Sequence, residues 1–168
     1  HGMSVGFGTD GPASGNTLDL FIQMRLCENF HKNELHDRSA FPAKEVVSMA
    51  TIEGARAIGI DDAVGSLEAG KDADLILLKL DTPAMRPIYT KPMRNLVPNA
   101  VYAACGRDVD TVISGGRVIV KDRKPQTFDL EEILAEVQEE ADRLAGKAEK
   151  QFWEIRGANA LYMEENKL

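Results

Sequence analysis

The hydrophobic period changes twice along this chain of 168 residues, and each change restricts the element that can form. Up to Ile58 the texture is mixed. A short apolar run at Val5–Thr9 precedes Leu18, Phe21, Ile22, Leu26 and Phe30, which recur at steps of three and four and describe one helix face opposite Asp19, Gln23 and Glu28. Strand, loop and helix in succession make one β/α unit. From Ile60 to Gln126 short apolar runs of strand length take over, and from Leu130 the three-and-four stripe returns. The pattern predicts an α/β chain in three parts: 1–59 with the β/α unit and a further helix, 60–126 a small β layer, and 127–168 a C-terminal amphipathic helix and tail.

Local signals refine each part. A second helix is predicted from Pro42 to Ile58, with Pro42 in its first turn and Gly59 in the position of a C-terminal cap. Gly54 is a weak point inside it unless something packs closely there. Ala73–Leu80 reads as the central strand of the layer and Asn99–Ala104 as a weaker one. Asp81–Pro98, with four prolines, reads as extended and loop-rich. Thr111–Ser114 and Arg117–Val120, joined by Gly115-Gly116, predict a hairpin, because the primed two-residue turns need positive φ. In the tail, Asp129 caps a helix with Glu132 reaching back, and Leu130, Ile133, Val137, Leu144 and Phe152 lie on its stripe. Trp153 beside Phe152 is assigned to a core or an interface. Gly157 interrupts the helix, and residues 158–168 are expected to fray.

Composition excludes several classes. Net charge is −7, with acids concentrated over Asp129–Glu140, so nucleic acid is an unsuitable partner. No run approaches the ~18 apolar residues of a membrane span. Cys27 and Cys105 are the two cysteines, far apart, which fits a reducing cytoplasm rather than a disulfide scaffold. Phosphate-loop and nucleophile-elbow signatures are absent, as is the His-x-Glu with Pro-Cys-x-x-Cys of one zinc deaminase class.

The chemistry-bearing candidate is Asp10, an acid among glycines just after the first apolar run. In a β/α barrel, groups at the C-terminal ends of strands face the active site. An acid at that point also serves as a turn or helix-entry residue. Ser14 and Asn16 in the same loop either touch substrate or cap the helix that starts near Thr17. His31 and His36 flank the end of that helix and are assigned to the surface rather than to a metal. Lys71, Asp72 and Asp74 read as a solvated turn, with Asp74 organising backbone amides.

Three blocks in order, Val5–Asn16, Met49–Gly59 and Gly65–Ile76, resemble the C-terminal part of the metal-dependent amidohydrolases. The likeness is strongest to the branch of methylthioadenosine/S-adenosylhomocysteine deaminases and chlorohydrolases. It implies the last β/α unit of a TIM-type (β/α)8 barrel, then part of a small β-sandwich, then a helix. It also implies that Asp10 lies at a divalent metal, zinc or iron, and carries a proton toward a leaving nitrogen. The parent protein would deaminate a purine or adenosine-like small molecule; displacement on another ring, such as a triazine, is the alternative. The histidine ligands that the resemblance calls for do not match His1, His31 or His36, so the chain reads as a fragment. It is expected to bind no metal and perform no chemistry alone, and to associate with itself or with the missing barrel portion.

Overall fold

The structure is a computed structural model that describes residues 2–167. The chain forms two compact units, His1–Thr127 and Phe128–Leu168. Among the described residues no helix is long and apolar enough to cross a membrane.

The first unit opens with an extended segment over residues 5–9 and a single-turn helix, α1 (Pro12–Gly15). The predicted strand at Val5–Thr9 is not assigned as one: a strand is defined by ladder bonds, and this segment has no ladder partner among the described residues. Helix α2 spans Leu20–Leu35, and its N-cap is Asp19, whose Oδ1 accepts from the Phe21 amide at 2.9 Å. The expected caps Ser14 and Asn16 are not used for it, because they are taken up by α1. The buried side of α2 also differs from expectation. Met24 and Glu28 are buried, whereas Leu18 and Phe30 are 64% and 68% exposed. Burial of Glu28 is possible because its carboxylate is paired with Lys32 and accepts from the Tyr102 hydroxyl, while Lys32 Nζ donates to that hydroxyl at 2.9 Å. Burial pushes the Tyr102 phenol upward.

The predicted second helix is two helices, α3 (Ala43–Met49) and α4 (Ile52–Ala57). The break falls at Ala50–Thr51, where the Thr51 hydroxyl donates to the Val47 carbonyl four residues back at 2.8 Å and so competes with the helix ladder. Gly59 follows α4 with φ +73°, as its cap position requires. Gly54 meets the close packing that its place in a helix implied. A Cβ on Gly6 would lie 2.7 Å from the Gly54 Cα, and one on Gly54 would lie 2.9 Å from the Met49 carbonyl. On α4, a Cβ at Gly65 would lie 2.8 Å from that of Ala55. Phe7 then joins the core cluster of Met24, Ala43, Val46 and Val101.

The β layer is a four-stranded antiparallel sheet in the order β1 (Leu75–Leu78), β2 (Val109–Ser114), β3 (Arg117–Lys121), β4 (Lys124–Pro125). The predicted hairpin forms, with Ser114 opposite Arg117 and φ of +53° and +75° at Gly115 and Gly116. β1 proves to be an edge strand rather than the central one, since among the described residues it pairs with β2 alone. The weak strand at Asn99–Ala104 is instead part of α5 (Leu96–Tyr102) and its C-terminal end. Val101 is fully buried on α5 and Ala104 is fully buried just past its C-cap, and Pro98 falls in the first turn where its missing N–H costs nothing. A 3-10 turn at Gly106–Asp108 leads into β2. Asp108 is buried, and burial alone would raise its carboxyl; the Cys105 amide, donating to Oδ2 at 3.0 Å, and further hydrogen bonds hold it below the usual carboxylate range.

The second unit consists of α6 (Leu130–Ile155) and α7 (Ala158–Glu164). Asp129 Oδ1 caps α6 by accepting from the Glu131 and Glu132 amides at 2.9 and 3.2 Å. Arg156, left-handed at φ +47°, ends α6, and Gly157 opens α7. The tail expected to fray is helical because α7 is anchored: Ala160 is buried and Arg156 pairs with Glu164. Phe152 and Trp153 meet edge to face at 5.0 Å.

Two expected outcomes follow from these contacts. Gly54→Ala should lower thermal stability by about 1–3 kcal/mol through overpacking, while Gly146→Ala, in open space within α6, should raise it by about 0.5–1 kcal/mol; equal effects at the two sites, read by calorimetry, would contradict the close approach. The Asp108 carboxyl is depressed, so its stabilisation is present above the unfolded carboxylate value of about 3.9 and is lost as pH falls through its lower folded value. Asp108→Asn should therefore flatten the loss of stability below about pH 4, measured by denaturant titration at a series of pH values.

Candidate functional site

The loop that carries the candidate residues is fixed at both ends. At its start, contact of Gly6 with α4 and packing of the partly buried Phe7 against the core hold the extended segment. At its end, Asp19 does two things with one carboxylate: Oδ1 caps α2, and Oδ2 accepts from the Gly106 amide at 2.8 Å, tying the loop to the turn before β2. The Asp19 amide in turn donates to the Thr17 hydroxyl at 3.1 Å. The sequence reading placed Asp19 on the polar side of the helix; its position directly before the first helical residue, typical of an Asx cap, is the signal that identifies it.

Asp10 sits between these anchors, exposed and left-handed at φ +54°. Aspartate tolerates that conformation better than most residues. Its Oδ1 accepts from the Gly11 amide at 2.7 Å, and the Thr9 hydroxyl donates to its carbonyl at 3.1 Å. Both interactions are with chain neighbours, so they orient the carboxylate without covering it. Ser14 lies within α1, its amide bonded to the Gly11 carbonyl at 3.0 Å, and Asn16 closes α1 at φ +56° with its amide on the Pro12 carbonyl at 2.9 Å. Both side chains are exposed. All three candidates thus share one short loop.

Beside the extended segment lies a cleft lined by Gly6, Phe7, Gly8, Gly54 and Asp74. Asp10 is not in its wall. Asp74 is engaged as expected, its Oδ1 accepting from the Gly115 amide of the hairpin turn at 2.6 Å. Lys71 is not the solvated turn residue expected. It is largely buried, and its ammonium donates to the Asp61 carbonyl at 2.5 Å and the Ser66 hydroxyl at 2.8 Å, closing the 61–71 loop on itself.

His31 stacks on Phe41 at 4.7 Å between ring centroids, and His36 is the left-handed C-cap of α2. His1 lies outside the described residues. Among those described, no three His, Cys, Asp or Glu side chains gather in a way that could hold a metal ion. Zinc sites ordinarily use three or four protein donors, so the single carboxylate of Asp10 suits one position of a metal shell and does not form a shell.

Residues 1–119 match the amidohydrolase family. A 5-methylthioadenosine/S-adenosylhomocysteine deaminase from Thermoanaerobacter pseudethanolicus is 38% identical over 143 residues, covering 85% of this chain and 32% of the relative. A second deaminase of that name, from Syntrophus aciditrophicus, is 42% identical over 143 residues, covering 85% and 31%. Among solved structures, an adenosine deaminase from Xanthomonas campestris with bound zinc superposes with a TM-score of 0.77 at 31% identity, covering 83% of this chain and 31% of that one. An atrazine chlorohydrolase from Arthrobacter aurescens, complexed with zinc and atraton, gives 0.72 at 28%, covering 82% and 29%. The chain spans about a third of the length of the curated relatives it matches. With the family match reaching across the first anchored loop, helices α1–α5 and the greater part of the sheet, the chain belongs to the amidohydrolase family.

Proposed function

We propose that this chain supplies Asp10 to the active site of a metal-dependent hydrolase of C–N bonds, and that the complete protein deaminates an adenosine-like or other purine-like substrate. The observation that carries the reading is the exposed Asp10 carboxylate on a loop pinned at Phe7 and Asp19, within the segment that matches the amidohydrolase family. A divalent cation, zinc or iron, supplies a water activated near neutral pH when bound. Asp10 contributes one oxygen donor, takes up a proton at its carboxylate and releases it to the departing nitrogen. Ser14 and Asn16, exposed on the same loop, contact the substrate. The remaining metal donors lie outside this chain's described residues.

In this reading residues 5–9 and α2 form the last β/α unit of a (β/α)8 barrel, and β1–β4 belong to a small β-sandwich beside it. The parts divide at 1–59, 60–126 and 127–168. The protein works in the cytoplasm, and this chain associates with itself or with the barrel portion it lacks. A second reading, hydrolytic displacement on a triazine-type ring, is favoured by the likeness to the atrazine chlorohydrolase at 28% identity. The deaminases, at 38% and 42%, favour the first.

Asp10→Asn in the full-length protein should lower turnover by at least about a hundredfold, with the circular dichroism spectrum unchanged. Near-normal ammonia release from adenosine-type substrates would sink the assignment. The 168-residue chain by itself should bind less than one equivalent of zinc after dialysis and release no ammonia; stoichiometric metal together with ammonia release would show that His1, His31 or His36 joins Asp10 in a site.

A further inference from the structure

One oxygen of Asp19 caps α2, and the other is held by the Gly106 amide, 87 residues away in sequence. A cap needs only a single acceptor. The turn that receives the second oxygen is itself fixed on its near side. Arg25 Nη2, one turn further along α2, donates to the Ala104 carbonyl at 3.0 Å, and the buried Asp108 accepts from the Cys105 amide at 3.0 Å. Ala104, Cys105 and Gly106 are thus each bonded by a side chain, two of them from α2. Asp19 is therefore tied to a firm point.

From Asp19 back to Asp10 the chain has little slack. The Asp19 amide donates to the Thr17 hydroxyl at 3.1 Å, and the Asn16 amide closes α1 on the Pro12 carbonyl at 2.9 Å. The Ser14 and Gly15 amides both donate to the Gly11 carbonyl, at 3.0 and 3.1 Å. Gly15 also lies against the start of the loop, since a Cβ there would stand 3.0 Å from the Thr9 carbonyl oxygen. Gly11 completes the path: its amide donates to Asp10 Oδ1 at 2.7 Å, so the residue that anchors α1 also orients the carboxylate. On the reading of Asp10 as the active-site acid, on which this rests, we infer that Asp19 is a positioning residue for Asp10. Its bond to Gly106, as distinct from its cap on α2, sets where the Asp10 carboxylate stands. Asp19 touches neither substrate nor reacting atoms. It passes the position of the turn before β2 to the acid through α1.

Asp19→Asn in the full-length protein separates the two roles. Asparagine caps a helix as well as aspartate does, whereas its amide nitrogen donates and cannot accept from Gly106. Amide hydrogen exchange, followed by mass spectrometry, should become faster over residues 11–18 and stay unchanged over α2. Turnover should fall by about tenfold, the scale of a catalytic group displaced by a fraction of an ångström. In the Asp10→Asn background the same substitution should bring no further loss, because a residue that acts only through Asp10 has no effect once that carboxylate is gone. Normal turnover of Asp19→Asn, exchange that rises over α2 instead of the loop or not at all, or equal losses in the two backgrounds would each overturn the positioning role. Near-normal turnover of Asp10→Asn is a different result, which removes the reading of Asp10 itself and the role of Asp19 with it.

Discussion

Contact between two backbones, at Gly6 and Gly54, is the constraint on which the first unit depends. A Cβ at Gly6 would stand 2.7 Å from the Gly54 Cα, a separation that real side chains do not reach. Because neither residue has one, the extended segment can lie directly on α4, and its next residue, Phe7, reaches the cluster around Met24, Val46 and Val101. Gly65 extends the same economy to α4, beside Ile52 and Ala55. A short helix that would be marginal alone is thereby held between two chain segments.

From that contact follows the placement of Asp10. Asp10 comes three residues after Phe7, so its position is set by the packing of Phe7 while its carboxylate stays in solvent. Asp19 fixes the far end of the loop through two different backbone amides, Phe21 and Gly106. A loop anchored at both ends and free at its middle is the arrangement in which a carboxylate is pre-positioned for a ligand at little entropic cost. The buried polar groups elsewhere serve a different purpose. Glu28 with Lys32 and Tyr102 joins α2 to α5, and Asp108 with the Cys105 amide shapes the entry to β2; in each case burial is compensated by hydrogen bonding.

How much could be read beforehand depended on whether the signal was local. The Gly115-Gly116 hairpin, the Asp129 cap and the end of α6 near Gly157 were legible, because each rests on backbone preferences of a few adjacent residues. The identity of α5 was not. Asn99–Ala104 is a short apolar run that fits a strand or a helix, and only the packing of Val101 into the core decides it. Glu28 was likewise hidden, since a glutamate reads as polar surface until a tyrosine 74 residues away in sequence is brought against it.

For the candidate site the division is similar. Asp10, Ser14 and Asn16 stand out in the sequence as an acid and two small polar residues in a glycine-rich loop, and the three family blocks give that loop a context. What the sequence determined was the set of elements written in local chemistry: the tight turn, the helix caps, the amphipathic tail and the position of the exposed acid. Tertiary structure alone decided that β1 is an edge strand, that the second helix breaks at Thr51, that Asp19 rather than Ser14 or Asn16 caps α2, and that Lys71 closes its own loop. Those outcomes depend on which distant groups satisfy one another's hydrogen bonds and fill one another's space, and no window of neighbouring residues contains that information.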